Sequence, residues 1–284
     1  MGDIKPMSTP MALRFDSSIS EPFTDITLFR SLVAALHYLT ITRPDISYAI
    51  NSVCQFMHAP TTTHFCMVKR ILRYVQGTID HGLRIVRDSS LQLYAFSDSD
   101  WAGFPVTRRS TTGFYTFLGA NCISWSAKKQ PTVARSSTEA EYRVMATTTA
   151  ELTWLSFLLR DIGVPQLKPA ILFCDNLSAL HMTVSPVFHA RTKHVELDYH
   201  FVCEKVALCL LITRFVPSHR QLADVFTKPL SRRDFHSICI KLGMCAHPQL
   251  SLRGGVRQEA SLEHPSEHPS GDPLHHRSTV KGIT

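Results

Sequence analysis

The chain has 284 residues and a 44% hydrophobic fraction, enough to bury a sizeable core in one large domain or two modest ones. A net charge of +7, with 15 histidines besides, points toward a polyanionic partner, and no run approaches the roughly 18 apolar residues of a membrane span. The eight cysteines include no Cys-x-x-Cys pair, which argues against a zinc ribbon or knuckle and for reduced core thiols.

Residues 1–24, rich in Ser, Thr and Pro, read as a linker. From Ile26 to Leu39, Leu28, Phe29, Leu32, Val33, Leu36 and Leu39 recur at helical spacing. A second helix restarts at Thr42-Arg43-Pro44-Asp45, with Pro44 near its first turn, and is predicted to stop at Pro60. A third runs from Thr63 to Gln76 and ends at Gly77. It places Lys69, Arg70 and Arg73 on one side, as a solvated face or as a contact for nucleic acid. Residues 25–88 therefore form a small all-helical unit.

The pattern changes at Leu91. Leu91–Asp98, Thr112–Leu118 and Cys122–Ser126 read as strands, the last two joined by a tight turn at Gly119-Ala120-Asn121. A long helix over Ser137–Asp161 is closed by Gly163 and Pro165. Ala170–Cys174 is a short buried strand, followed by helices near 176–182 and 197–208, a strand at 210–216 and a last helix near 221–228. Three strands followed by alternating helix and strand imply an α/β fold with a mixed sheet over residues 89–230. Residues 231–250 form a helical extension. Past Leu250 the apolar periodicity vanishes, and 251–284 is expected to be a disordered tail.

Four acidic residues sit where folding alone would not put them. Asp98 closes a strand, a position that also suits a turn former or cap. Glu141 heads a stripe of Met145, Thr148, Leu152, Leu155, Leu159 and Ile162 that should face the sheet, where an unpaired carboxylate is costly. Glu139, three residues after Ser136, is the better candidate for capping the helix. Asp175 ends one strand and opens a helix, as an N-cap or as a ligand at a strand's carboxyl end. Asp224 lies just before Pro229. Carboxylates gathered without Cys/His ligand spacing suit hard cations such as magnesium or manganese.

Ser97-Asp98-Ser99-Asp100-Trp101-Ala102-Gly103, Trp125-Ser126-Ala127-Lys128-Lys129-Gln130, Ser136-Ser137-Thr138-Glu139-Ala140-Glu141-Tyr142 and Cys174-Asp175-Asn176 closely resemble the RNase H domain of copia-type retrotransposon Pol polyproteins. Arg191-Thr192-Lys193-His194 and Ala223-Asp224-Val225-Phe226-Thr227-Lys228-Pro229-Leu230 continue the resemblance, in order, from about Lys5 to Val256. It implies an RNase H-like fold with a mixed five-stranded sheet flanked by helices. It also implies an endonuclease that uses two Mg2+ ions, or Mn2+, to cut the RNA of RNA–DNA hybrids during reverse transcription. The catalytic and metal-binding carboxylates would be Asp98, Glu141, Asp175 and Asp224. His219 matches a mobile-loop histidine that aids release, and Asp100 is expected to hold its turn. Cys203 stands where the family usually has an arginine, and Cys66 where a larger or polar residue is common.

Arg135, Ser136 and Ser137 at a helix N-terminus, Asn176, and the basic strip of His189, Arg191, Lys193 and His194 are candidate contacts to the hybrid. Residues 25–88 resemble the end of a reverse transcriptase, whose upstream polymerase region would be a partner. No two aspartates are adjacent anywhere, so the polymerase active site is absent. The expected location is the cytoplasm, with the nucleus and virus-like particles as further settings. The competing readings are a non-catalytic nucleic-acid-binding module and an inert retrotransposon relic.

Overall fold

A computed structural model of the protein describes residues 5–14, 21–184 and 195–246. Three helices come first: α1 over Ile26–Leu39, α2 over Ser47–Cys54 and α3 over Thr62–Gln76. Pro44–Ile46 forms a 3-10 turn before α2, and α2 stops at Cys54, six residues short of the proline expected to end it. The Asp25 carboxylate caps α1, and the Thr61 hydroxyl caps α3 in a reciprocal box with His64. A short strand, β1 (His81–Leu83), then leaves this helical unit.

The central sheet is built from β2 (Leu93–Ser99), β3 (Thr111–Leu118), β4 (Asn121–Lys129), β5 (Ala170–Cys174) and β6 (Leu211–Phe215), in the order β4-β3-β2-β5-β6. The first three strands are antiparallel and β2, β5 and β6 run parallel. Helices α4 (Ser137–Asp161), α5 (Leu177–Val184) and α6 (Glu196–Ala207) supply the crossovers, α7 (Arg232–Lys241) follows the sheet, and β7 (Met244–Ala246) pairs back onto β1. The mixed five-stranded α/β fold expected from the sequence is present. The β1–β7 ribbon was not expected, because three-residue strands carry too little periodicity to be read.

Alternation along β2 divides the core in two. Leu93 and Ala95 face α4 and α6, packing with Tyr142, Met145, Leu152, Leu155 and Leu172. Tyr94 and Phe96 face the other way, stacking with Phe117, Tyr115 and Phe173 in one core with Phe29, Val33, Ile50 and Ile71 of the helical unit. The Trp125 indole N–H donates to the Thr40 carbonyl at 2.9 Å, a further tie between sheet and helices. Glu141 does head the buried face of α4, but Ile162 lies at its C-terminal cap and is exposed.

Two further expectations are corrected. Residues 5–9, read as linker, pack along α3: Thr9 is buried, and the Met7 N–H donates to the Arg73 carbonyl. Arg70 donates to the Thr9 hydroxyl and Arg73 to the Lys5 carbonyl, both at 2.8 Å, while Lys69 sits over the Phe65 ring. Two of the three charges on α3 thus clasp the chain's own N-terminal segment. The last helix expected near 221–228 is instead a pair of 3-10 turns, Ser218–Arg220 and Leu222–Phe226, too short to wind further before Pro229.

Candidate active site

Parallel pairing places the first two carboxylates. β2 and β5 run in register Tyr94↔Ile171 through Phe96↔Phe173, and extending that register by two residues sets Asp98 level with Asp175. Both lie at the carboxyl ends of neighbouring strands, where open α/β sheets gather their ligands. Asp98 projects on the Tyr94–Phe96 face, toward the turn that bears Asp224. Glu141 arrives from α4 on the opposite face and meets the end of β2, accepting the Ser99 N–H at 3.1 Å. Four separate elements therefore deliver the four predicted carboxylates to one edge of the sheet.

Asp98 and Glu141 are each only 6% exposed. The Thr227 hydroxyl donates to Asp98 Oδ2. Burial raises the Asp98 pKa and nearby Asp175 adds to the rise, while Thr227, Lys228 and the Ser99 N–H offset part of it. Glu141 is pushed well above the ordinary carboxylate range, first by burial and then by Asp98 and Asp175. Burial, with Asp98 beside it, pushes Asp224 up to about 7 even though Lys228 Nζ lies 2.8 Å from its Oδ1. Burial works to lower Lys228, but Asp224, Asp98 and Asp175 outweigh it.

These mutual effects mark a concentration of negative charge that one ammonium group does not balance. Ligand atoms of Glu141, Cys174 and Asp175 all lie within 4.8 Å of one another. Burial, and Glu141 beside it, raise the buried Cys174 thiol. The carboxylate oxygens gathered here fit hard divalent cations.

Asp175 is not the cap of the helix it precedes. Asn176 Oδ1 accepts the Ala179 N–H at 3.0 Å and does that work. Asp175 instead accepts from the Ser218 hydroxyl at 2.8 Å and the Gln221 amide at 3.3 Å. Asp100 holds its turn, as expected, by accepting the Thr111 N–H. Glu139 serves the helix start, accepting the Arg135 N–H at 2.7 Å and pairing with Arg143 at 2.6 Å. Sequence reading missed Ser218, Gln221, Thr227 and Lys228. Thr227 and Lys228 stand in the motif around Asp224 and Gln221 lies three residues before it, and that placement was the available signal.

No protein-family model matches the chain. Over 246 residues, 86% of its length, it is 46% identical to the Retrovirus-related Pol polyprotein from transposon RE1 of Arabidopsis thaliana. It is equally identical over 248 residues to the corresponding polyprotein from transposon RE2 of the same plant. Most of the chain is thus similar to one segment of the retrovirus-related Pol polyproteins of transposons. It spans 17% of the length of each of these two relatives. Among solved structures, LC11-RNase H1 from compost matches with a TM-score of 0.38 and 14% identity over 48% of this chain and 93% of that one. The mixed five-stranded sheet flanked by helices that the sequence resemblance implied is present in this chain.

In this chain the remaining expected contacts separate. Arg135, Ser136 and Ser137 are exposed at the start of α4, one turn before Glu141, with the Ser136 hydroxyl accepting the Glu139 N–H at 3.2 Å. Asn176 is half-buried beside Asp175, and His219 is exposed between Ser218 and Arg220. Arg191, Lys193 and His194, like His189, lie outside the described residues. Cys203 packs inward, its thiol donating to the Met182 carbonyl at 3.4 Å.

Gly113 pairs with Asp98 across the sheet, and its missing side chain is what lets the 222–226 turn approach. A Cβ there would lie 2.5 Å from Thr227 Cγ2 and 3.0 Å from Phe226 Cβ. Gly113→Ala is therefore expected to destabilise the protein by about 1–3 kcal/mol through overpacking. It should also weaken the Thr227–Asp98 contact. Urea unfolding checks the first effect, and an unchanged midpoint would show that the turn yields freely.

Proposed function

We propose that this chain is a divalent-metal-dependent endonuclease of RNase H type, hydrolysing the RNA strand of RNA–DNA hybrids during retrotransposon reverse transcription. The observation that carries the reading is the convergence of Asp98, Glu141, Asp175 and Asp224 from four elements, two of them almost wholly buried. A fold gains nothing by assembling carboxylates that raise one another's pKa values, unless a cation relieves the repulsion.

Magnesium or manganese held by these oxygens would supply an activated water and stabilise the leaving oxygen. The chain's own residues do the rest. The sheet end fixes Asp98 and Asp175 side by side, and α4 brings Glu141 over them. Lys228 balances part of the charge from the solvent side. The exposed start of α4, at Arg135, Ser136 and Ser137, offers N–H and hydroxyl donors to phosphate or sugar oxygens. The hybrid as substrate, with the upstream polymerase region as partner, is drawn from the motif resemblance, and the net charge of +7 supports a nucleic-acid partner. Four intact carboxylates favour this reading over a non-catalytic binding module.

A substrate panel tests it. Purified protein with magnesium should cut the RNA strand of a labelled RNA–DNA hybrid and leave duplex DNA and the DNA strand of the hybrid whole. Cleavage of duplex DNA at a comparable rate would assign a different nuclease. His219 supplies a second check, because an exposed side chain outside the carboxylate cluster should serve release and not metal binding. His219→Ala is expected to slow turnover by far less than Asp175→Asn. Equal losses would move His219 into the metal-binding set.

A further inference from the structure

Gln221 is 2% exposed, and its amide is used in full inside the site. Its Nε2 donates to the Ser97 carbonyl at 2.9 Å and to Asp175 Oδ1 at 3.3 Å. Its Oε1 accepts the Ala223 N–H at 3.2 Å, capping the 3-10 turn that carries Asp224. One side chain thus bonds the strand residue before Asp98, Asp175 itself, and the turn beneath Asp224. A buried amide is costly unless its bonds are made, so mere filling of this space would be served better by an apolar residue.

We infer that Gln221 is the positioning residue that holds Asp175 and the Asp224 turn in register with the Asp98 strand, an inference that rests on the metal-dependent reading above. The need follows from charge. Carboxylates that repel one another drift apart unless neutral donors fix them, and Asp175 is held by two such donors, Ser218 on Oδ2 and Gln221 on Oδ1. Both come from the same short segment. Groups that orient metal ligands in this way typically change metal affinity by about 10–100-fold when removed.

The test is a Mn2+ titration by calorimetry, with cleavage kinetics on a labelled hybrid, for the parent, Gln221→Met, Gln221→Glu and Ser218→Ala. Each protein is studied well below its own melting temperature. Gln221→Met keeps the volume and loses the polar contacts; Gln221→Glu keeps the acceptor for Ala223 and loses the donors. The expected result is Mn2+ affinity weakened roughly 10-fold in both Gln221 variants, with KM for the hybrid nearly unchanged. Their lowered kcat should recover as Mn2+ is raised. Ser218→Ala, an exposed change, should show a smaller loss of Mn2+ affinity in the same direction.

A purely structural role would lower the melting temperature and leave Mn2+ affinity and kcat of the folded protein at parental values, which overturns the inference. Should Gln221→Met fail to fold, Gln221→Glu and Ser218→Ala decide it, and parental Mn2+ affinity in both rejects it. A parent protein that neither binds Mn2+ nor cuts the hybrid sinks the metal-dependent reading, and this inference with it.

Discussion

Replacing Asp98 with Asn will abolish hybrid cleavage, yet raise the melting temperature of the metal-free protein by an amount corresponding to about 1 kcal/mol. The two effects share one cause. Asp98 is 6% exposed and is raised by burial and by Asp175, so its ionised form opposes folding when no cation is bound. Asn keeps an oxygen to accept the Thr227 hydroxyl and removes the charge. Magnesium should accordingly stabilise the parent more than the variant, since binding to the native state alone adds to stability.

The same repulsion sets a pH dependence in chelator. Asp224 is raised from 3.8 to about 7 on folding, so its contribution is full below about pH 4 and is lost as pH rises toward 7. The metal-free parent should melt higher at pH 5 than at pH 8, and magnesium should shrink that difference. A destabilised Asp98→Asn protein that still cut the hybrid would reduce Asp98 to a turn residue.

The largest loss of stability is expected in the helical unit, at Asp45. Asp45 is 2% exposed and pairs with Arg43 Nη2 at 2.7 Å, while the Tyr74 hydroxyl donates to the same oxygen at 2.6 Å. Arg43 also donates to the carbonyl and hydroxyl of Thr78, closing the helical unit on itself. Asp45→Ala strands a buried guanidinium and a buried phenol together. A loss of about 3–5 kcal/mol is expected, a large part of the stability of an ordinary domain. Urea unfolding measures it, and a loss below about 1 kcal/mol would mean that water reaches Arg43. Cleavage per folded molecule should not change, because Asp45 touches none of the site carboxylates.

Long periodic elements were legible in the sequence. α4 and β5 fall where the apolar pattern put them, because a 25-residue amphipathic helix and a five-residue apolar run each carry one clear period. The turn after β6 was not legible. Ala223, Val225 and Phe226 suggested a helix, whereas the segment forms a 3-10 turn packed close against Gly113. Of the site, three carboxylates stood out because Glu141 broke an apolar face and Asp98 and Asp175 closed strands, while Asp224 was legible only through the motif around it. Their hydrogen-bonding partners did not stand out, since Ser218, Gln221 and Thr227 are ordinary polar residues until the fold brings them to Asp98 and Asp175. Asn176 as the true helix cap was equally hidden, because Asp and Asn suit that position alike.

Whether the four carboxylates form one metal-dependent cutting site is decided by a single labelled-RNA assay. Purified protein would be incubated with an RNA–DNA hybrid in magnesium and in chelator, beside Asp98→Asn, Glu141→Gln, Asp175→Asn and Asp224→Asn. RNA fragments are expected from the parent in magnesium only, with turnover lost or cut by orders of magnitude in all four variants. Cleavage that persisted in chelator, or that survived in two or more of these variants at the parental rate, would contradict such a site.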